Sequence, residues 1–443
     1  MTTLRYTIGI DSTDSLQGGC TTWTISRLID LLRQEDPSLK LFEFPHLVRL
    51  NPNIKLKTRG NASVAIFIET ELNKDILHNL CRKHVESDYL LFNDEKGKFP
   101  GLVIIRGKSV NQNYYLKVLT EVVKSQAIAE PDQYEYRWPI NSMGIIGALG
   151  ATTADFTSDF TYELIAYRKE ENFGKKRIFN GGLLPDIEEK FKLFSSYDYY
   201  EQRELIAPSG PDPIFCGIRS DSYRDLIRII PLLQIEEDLD SFTIFKSNQG
   251  TGRHLLENRV TLEAEHVFTS LCTVLTNPLE LSGGHVKFTL QLSNTAEAID
   301  CMVFEPTKQL RNSARLLRKG DLIYANGSVN KNLKFGKFIN LESFLLLDLH
   351  HKIHVNPACP TCKKTMKNAG AFKGFKCKRC DFHTYHRQKD VVSRKLFDGQ
   401  RIVARLSAQR HLARPMRRLH VKNESTDTYC SIEVIRGTLA NLT

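Results

Sequence analysis

Two carboxylates three residues apart, Asp11 and Asp14, stand in the stretch Ile8–Thr22, IGIDSTDSLQGGCTT. Hydroxyls at Ser12, Thr13, Ser15, Thr21 and Thr22 surround Gly18, Gly19 and Cys20. Carboxylates at the end of a strand are hard oxygen ligands suited to Mg²⁺. Glycines followed by a helix N-terminus offer backbone N–H groups to phosphate. An ordinary polar turn is the competing reading of the same residues.

A second constellation is Cys359-x2-Cys362-x14-Cys377-x2-Cys380. Each closely spaced pair forms a tight knuckle, and two knuckles make a closed tetrahedral Zn²⁺ site. With four protein ligands the metal is structural, and it supplies folding energy to a module too short for its own core. Between Cys359 and Cys380 lie seven Lys/Arg and no acid, including Lys363, Lys364, Lys373 and Lys376, with Phe372 and Phe375 among them. Cations interleaved with aromatics suit phosphate contact and base stacking on single-stranded RNA. One of these rings, Phe375, is alternatively the module's small core. The other six cysteines are scattered and read as buried or incidental thiols.

Weaker signals lie between these two. Lys57-Thr58-Arg59-Gly60-Asn61 is a cationic turn before a strand, where glycine permits close approach to a phosphate; a basic hairpin turn is the plain alternative. Asn51 and Asn53 flank a proline and read as turn residues. Glycines 144, 147 and 150 of SMGIIGALGAT suit either a helix packed close on a strand or a phosphate loop. In GPDPIFCGIR, Asp212 on a Pro-Asp-Pro turn can accept a cation or satisfy its own turn, and Arg219 follows on the strand.

The elements that must position these residues follow from hydrophobic pattern. Strands are expected at Tyr6–Ile10, Val64–Glu69, Leu102–Ile105, Tyr162–Tyr167, Ile214–Ile218 and Phe242–Phe245, with helices at Trp23–Gln34, Lys74–His84, Tyr114–Lys124 and Ser222–Leu232. This mixture predicts α+β or α/β sheets carrying helices, with a boundary in the Pro/acid-rich stretch Ala129–Trp138. Beyond Val267 the pattern becomes mainly strands: His285–Leu292, Glu297–Val303, Leu322–Ser328 and Lys337–Leu347, with one helix at Thr307–Arg318. A five-stranded barrel of the OB type fits that pattern, as does another small barrel or sandwich.

A chain of 443 residues suggests three or four domains. Its net charge of +10 is uneven: Arg401–Lys422 holds seven basic residues and no acid. Concentrated positive charge favours a polyanion through counterion release. No apolar run approaches the ~18–20 residues that cross a bilayer, and the N-terminus lacks the layout of a signal peptide. The expectation is a cytoplasmic protein with no membrane partner.

IGIDSTDS…GGCTT, LVRLNPN…KTRGN, GIIGALGA…TYELIAYR, GPDPIFCGIR, SNQGT, GGHV…FEPTK…LRKGD, the four-cysteine ribbon and HLARPMRR occur in this order along the chain. The series resembles the archaeal agmatidine synthetases, the tRNA(Ile) 2-agmatinylcytidine synthetases. The resemblance implies a multi-domain α+β protein: a kinase-like ATP-binding domain (1–130), a ferredoxin-like domain (131–254), an OB-fold (258–350), a zinc ribbon (355–384) and a basic tRNA-binding region (385–443). It implies an ATP-dependent ligase joining agmatine to C2 of the wobble cytidine of the CAU-anticodon isoleucine tRNA, through a phosphorylated base. Asp11, Asp14 and Thr21 become catalytic, Thr21 as the threonine that is autophosphorylated. Ser12, Thr13, Gly18, Gly19, Cys20, Thr22, Lys57 and Arg59 become the ATP and phosphate ligands, with Mg²⁺ on the carboxylates. Asp212 and Arg219 become agmatine candidates. Lys363, Lys364, Lys373, Lys376, Arg410, His411, Arg414 and Arg417 are assigned to tRNA. The chain departs from the family at Ser12, where Asp is usual, and at Met143, where Arg is usual. The second reading is therefore a catalytically altered or inactive paralogue that binds RNA through the barrel and ribbon.

Overall fold

The computed structural model describes residues 3–15, 17–57, 60–92, 100–124, 135–139, 142–349, 352–386, 388–423 and 431–438. Arg59, Cys430 and residues 129–134 of the expected boundary lie outside them. The chain divides into two compact units: residues 1–257, 265–267 and 406–443, and residues 258–264 with 268–405.

The first unit is built on one mixed sheet. Its strands are β1 (Leu4–Asp11), β2 (Lys40–Leu41), β3 (His46–Arg49), β4 (Ala62–Thr70), β5 (Gly101–Arg106), β6 (Tyr136–Trp138) and β7 (Thr161–Arg168). After a small hairpin of β8 (Tyr197–Asp198) and β9 (Arg203–Glu204) come β10 (Ile214–Ser220) and β11 (Leu239–Ser247). The strand order is β10-β7-β11-β3-β4-β1-β5-β6, with β2 also on β4 and Arg436–Gly437 on β11. The β11–β3 pairing is parallel and joins the two stretches on which separate N-terminal domains were expected. The anticipated boundary also contributes a strand, because Leu102–Ile104 pairs with Tyr136–Trp138.

The helices are α1 (Thr21–Glu35), α2 (Lys74–Phe92), α3 (Gln112–Thr120), α4 (Gly144–Thr152), α5 (Leu184–Lys190) and α6 (Tyr223–Ile229). Strand β1 is buried along most of its length because both of its faces are covered. Tyr6, Ile8 and Ile10 join the core formed with α1 and α2, while α4 packs on the opposite face. The contact with α4 has no room for side chains. A Cβ on Gly101 would lie 2.0 Å from the Gly144 carbonyl carbon, so the spaced glycines bring a helix onto strands, the first of the two expected roles. Helix α3 ends at Thr120, short of Lys124, and α2 runs to Phe92, beyond His84.

In the second unit, β12 (Val267–Val274), β13 (Leu279–Glu280), β14 (Val286–Leu292), β15 (Ala298–Val303), β16 (Leu322–Asn332) and β17 (Gly336–Asp348) form the main sheet. The pairing path β12-β16-β17-β15-β14 returns to its start, since β12 also pairs β14. Strand β14 alternates buried and half-buried residues, as a strand with one inward face must. The expected helix contracts to Gln309–Ala314 after a 3-10 turn at Glu305–Thr307. Arg394 forms a fully buried bidentate ion pair with Asp321, its second contact being 2.9 Å, and so ties the segment after the cysteine module to this sheet.

Candidate active site and zinc centre

A cavity of about 770 Å³ opens in the first unit beside the C-terminal end of β1. Asp11 closes that strand, and Ser12 follows in the left-handed region with φ 59°. This turn lets the Ser12 N–H donate to Asp11 Oδ1 at 2.7 Å. Burial, with the nearby Asp14 charge as a smaller contribution, pushes the Asp11 carboxyl up to about 7. A Cβ on Gly147 of α4 would stand 1.9 Å from Asp11 Oδ2, so that glycine makes space for the carboxylate.

Asp11, Ser12, Asp14, Cys20, Thr21 and Thr22 all line the cavity. Thr21 and Thr22 open α1, whose first turn contains no acidic residue to oppose an anion. Thr13 is turned inward, its hydroxyl 3.1 Å from that of Thr24. Gly18 and Gly19 form the turn closed by the 2.9 Å bond from Ser15 N–H to the Gly18 carbonyl. They pack against the Phe92 ring, which a Cβ on Gly18 would meet at 2.6 Å. The paired carboxylates and the helix start therefore face the cavity, while the glycines shape the loop behind them.

The facing wall contains a buried ion cluster for which the sequence offered only family-matching residues. Glu163 on β7 is 2% exposed. Its Oε1 accepts from Arg219 Nε at 3.0 Å, and its Oε2 lies 3.6 Å from Arg49. Arg49 is further oriented by the SNQGT loop. Gln249 Oε1 accepts from its Nε at 3.0 Å, and the Asn248 amide grips the Arg49 backbone at 2.8 and 2.9 Å. Asn51 is buried; its side chain donates to the Glu121 and Glu265 carbonyls and accepts from the Asn53 N–H.

Asp212 lies on the cavity wall at the end of a loop that Arg177 holds from behind. That one guanidinium donates to the carbonyls of Ile214, Pro208, Gly210 and Asp212 at 2.8 to 3.1 Å. Only the folded loop reveals this clamp, since Arg177 lies 35 residues from Asp212 with no spacing to mark it. Lys57 also lines the cavity, and burial together with Arg410 lowers its pKa.

The C-terminal tail joins this unit. Arg414 Nε donates to the Thr251 carbonyl at 2.9 Å, and Arg418 meets Asp159 at 2.9 Å and Asp221 at 2.8 Å. The donors of Arg414 are thus engaged within the fold, and His411 is brought to the cavity. Arg410 donates to the Pro52 carbonyl at 2.7 Å, and Arg417, otherwise exposed, to that of Glu188 at 3.2 Å.

In the second unit the four sulfurs of Cys359, Cys362, Cys377 and Cys380 all lie within 4.8 Å of one another. Closest separations run from 3.3 to 3.7 Å. Zn–S bonds of about 2.3 Å in a tetrahedron place sulfurs roughly 3.7 Å apart, so the donor set fits Zn²⁺. Phe375 is buried with Met366, Cys359 and Cys377 as the module's core, whereas Phe372 is 77% exposed. Lys363, Lys364, Lys373 and Lys376 are exposed around it. Cys377→Ser is expected to release the metal and unfold this module; metal analysis of the purified variant reading one zinc per chain would refute the assignment.

Family models match residues 7–135 as a TiaS TCKD domain, 142–254 as a TiaS FLD domain and 356–396 as a TiaS C-terminal zinc ribbon domain. The chain is 35% identical over 432 residues to the isoleucine-tRNA 2-agmatinylcytidine synthetase TiaS of Saccharolobus islandicus, covering 93% of each. It is 36% identical to that of Methanocaldococcus jannaschii, covering 92% of this chain and 97% of the relative. A crystal structure of TiaS in complex with its isoleucine tRNA and ATP matches with a TM-score of 0.77 at 30% identity, over 96% of this chain and 100% of the other. A complex of TiaS with the same tRNA, AMPCPP and agmatine matches with the same TM-score at 27% identity and the same coverage.

Proposed function

This chain belongs to the isoleucine-tRNA 2-agmatinylcytidine synthetase (TiaS) family, and from that premise we propose that it joins agmatine to C2 of the wobble cytidine of the CAU-anticodon isoleucine tRNA at the expense of ATP. The observation that carries this reading is the cavity on which Asp11, Asp14, the start of α1, the Arg49–Glu163–Arg219 cluster and the Asp212 loop converge.

A C2 carbonyl oxygen is a poor leaving group. In the proposed sequence that oxygen attacks a phosphorus of ATP, and the agmatine amine then displaces the phosphate from C2. Phosphoryl transfer depends on positioning and on neutralising charge more than on covalent help. Asp11 and Asp14, with the Ser12 hydroxyl beside them, form an all-oxygen donor set that fits Mg²⁺. The ion, when bound, neutralises charge on phosphate oxygens. The N-terminal turn of α1 offers its dipole to the same anion, and Thr21 there is the residue read as the site of autophosphorylation. Lys57, which lines the cavity, balances the triphosphate, and Arg59, which lies outside the described residues, is assigned the same part from the sequence. Glu163 holds Arg49 and Arg219 at fixed angles, so that their remaining donors meet an incoming anion without reorganising. Arg219 thereby acts beside the reacting groups through Glu163, while Asp212 pairs with the guanidinium of agmatine.

The first unit is read as the kinase-like and ferredoxin-like parts sharing a sheet, and the closed strand path of the second as the OB-fold. The lysines of the ribbon, with exposed Phe372, and Arg410 and Arg417 of the tail are read as grips on an RNA whose target base must leave its stack. The ligase classification and a cytoplasmic location follow from the same reading.

Purified protein, ATP, agmatine and tRNA transcript, followed by mass spectrometry of the anticodon nucleoside, test this. The expected result is the mass gain of agmatine less one water. Unmodified cytidine alongside intact tRNA binding would instead point to a non-catalytic paralogue.

A further inference from the structure

Three exposed large apolar side chains, Leu56, Val122 and Met143, line the cavity that holds the paired carboxylates. Single exposed apolar residues are ordinary, but several around one opening mark a surface that something apolar covers. Two routes place Met143, 54% exposed, close to Asp11. Its backbone angles, φ −64° and ψ −29°, continue α4, so Met143 and Gly147 lie on one helix face, about 6 Å apart along the axis. Gly147 is the residue pressed against Asp11 Oδ2, and with no side chain it leaves a notch below Met143. Across the sheet, Asp11 is the ladder partner of Gly101, whose backbone lies directly against Gly144, the residue after Met143. Backbone set on backbone leaves no play, so the start of α4 is fixed relative to the carboxylate.

We propose, resting on the transfer reading above, that Met143 packs on the face of the wobble cytosine once that base has left its stack. Leu56 extends the same apolar lip. It is 84% exposed, in a turn closed by the 3.0 Å bond from the Lys57 N–H to the Lys55 carbonyl. The Lys55 N–H ties that turn to Glu265 Oε2 at 3.1 Å.

The groups that meet at this cavity differ in what such a lip can hold. Phosphates gain nothing from apolar contact, and the guanidinium of agmatine calls for a carboxylate. A nucleobase has an apolar face and polar edges, and an extruded base is held between apolar or aromatic side chains. Two bases take part, cytosine and the adenine of ATP. The C2 oxygen of cytosine must bond to the phosphorus that Asp11 and Asp14 serve, so its ring comes within about one helical turn of Asp11, the height at which Met143 stands. Adenine is held away from that phosphorus by its ribose and the remaining phosphates. A thioether suits the contact, being flexible, polarisable and favourable against rings. Met143 is also a position at which this chain differs from the sequences it resembles, which carry Arg there. A methionine offers nothing to a phosphate, but it does offer a surface to a base.

The test compares two RNAs, the tRNA transcript and the same tRNA lacking only the base at its wobble position. Each is bound to the full-length protein in the presence of a non-hydrolysable ATP analogue. Met143→Ala is expected to weaken the intact tRNA about tenfold, the scale of one lost contact to a base face. The abasic tRNA should weaken by no more than about twofold, as for groups that do not touch. Met143→Leu keeps the apolar bulk and should bind the intact tRNA nearly as the unaltered protein does. The side chain is half exposed, so these substitutions leave the core untouched, and the abasic tRNA controls for folding in each preparation. Equal weakening of both tRNAs, or of neither, overturns the assignment. So does a loss of affinity for the ATP analogue without tRNA, which would put adenine on the lip instead. Failure of the unaltered protein to transfer agmatine would refute the function itself, a separate outcome.

Discussion

Asp11→Asn is expected to make the ligand-free protein more stable while lowering agmatine transfer by roughly a thousandfold or more. Burial and the Asp14 charge move the Asp11 carboxyl from 3.8 to about 7. The folded chain therefore holds a proton there across a pH range in which the unfolded chain has released it. By linkage, stability falls as pH rises from about 4 to about 7 and stays reduced above that. A change of that size corresponds to about 4 kcal/mol. Asparagine removes the penalty, keeps an oxygen for the Ser12 N–H and fits the space left by Gly147. Urea denaturation in EDTA should show the gain at pH 8 and almost none at pH 4. Equal midpoints for the variant and the unaltered protein at pH 8 would refute the account. In the proposed reaction the loss of activity has a different origin: a neutral amide would not supply the charge that a bound Mg²⁺ and the triphosphate call for. The carboxylate is thus held where it costs stability, as groups at functional sites often are.

The second large effect lies far from β1 in sequence. Asp159→Ala should destabilise the first unit by about 3 kcal/mol, the low end of the range for breaking a buried ion pair, because Arg414 loses its carboxylate while Arg418 keeps Asp221. Asp159 receives Arg414 on one oxygen, and Arg418 with the Asn423 N–H on the other. Arg418 is 1% exposed and also donates to the Gly250 carbonyl at 2.7 Å, next to the backbone bond that holds His411. Turnover should fall along with stability, even at a temperature where the variant remains folded, because the tail would no longer hold its place in the cavity wall. Asp159→Asn, which keeps the acceptors but removes the charge, should lie between. Full activity in a folded Asp159→Ala protein would break this link between the tail and the site.

The local signals were legible because they depend on neighbours in the chain. Short apolar runs marked β1, β4, β5, β7, β10 and β11 to within a few residues, and the Cys-x2-Cys knuckles form the only four-cysteine cluster among the described residues. The loop after β1 was readable for the same reason: a strand end, two carboxylates and a helix start lie within a dozen residues. Even there, composition could not tell which groups face the cavity. Asp11, Asp14 and Thr21 do, whereas Thr13 bonds Thr24 and Gly18 lies under Phe92, partners distant in sequence.

The basic tail shows where pattern reading stops. Seven cations without an acid between residues 401 and 422 look like a polyanion surface until Asp159 and Asp221 are brought to them. Charge along a chain records nothing of partners some 200 residues away, and an ion pair's burial is a property of the packed state alone. The sheet tells the same story: strand identity was local, but the β11–β3 pairing that joins two expected domains is a long-range choice.

By itself, then, the sequence determined the strands and helices, the zinc module and the carboxylate loop, all of which rest on short-range spacing and side-chain chemistry. Only the tertiary structure decided that Arg49, Glu163, Arg219 and His411 share one cavity with Asp11 and Asp14. It decided equally that Arg414 and Arg418 hold the tail in place. Those assignments depend on desolvation and on contacts between distant segments, which exist only once the chain has packed.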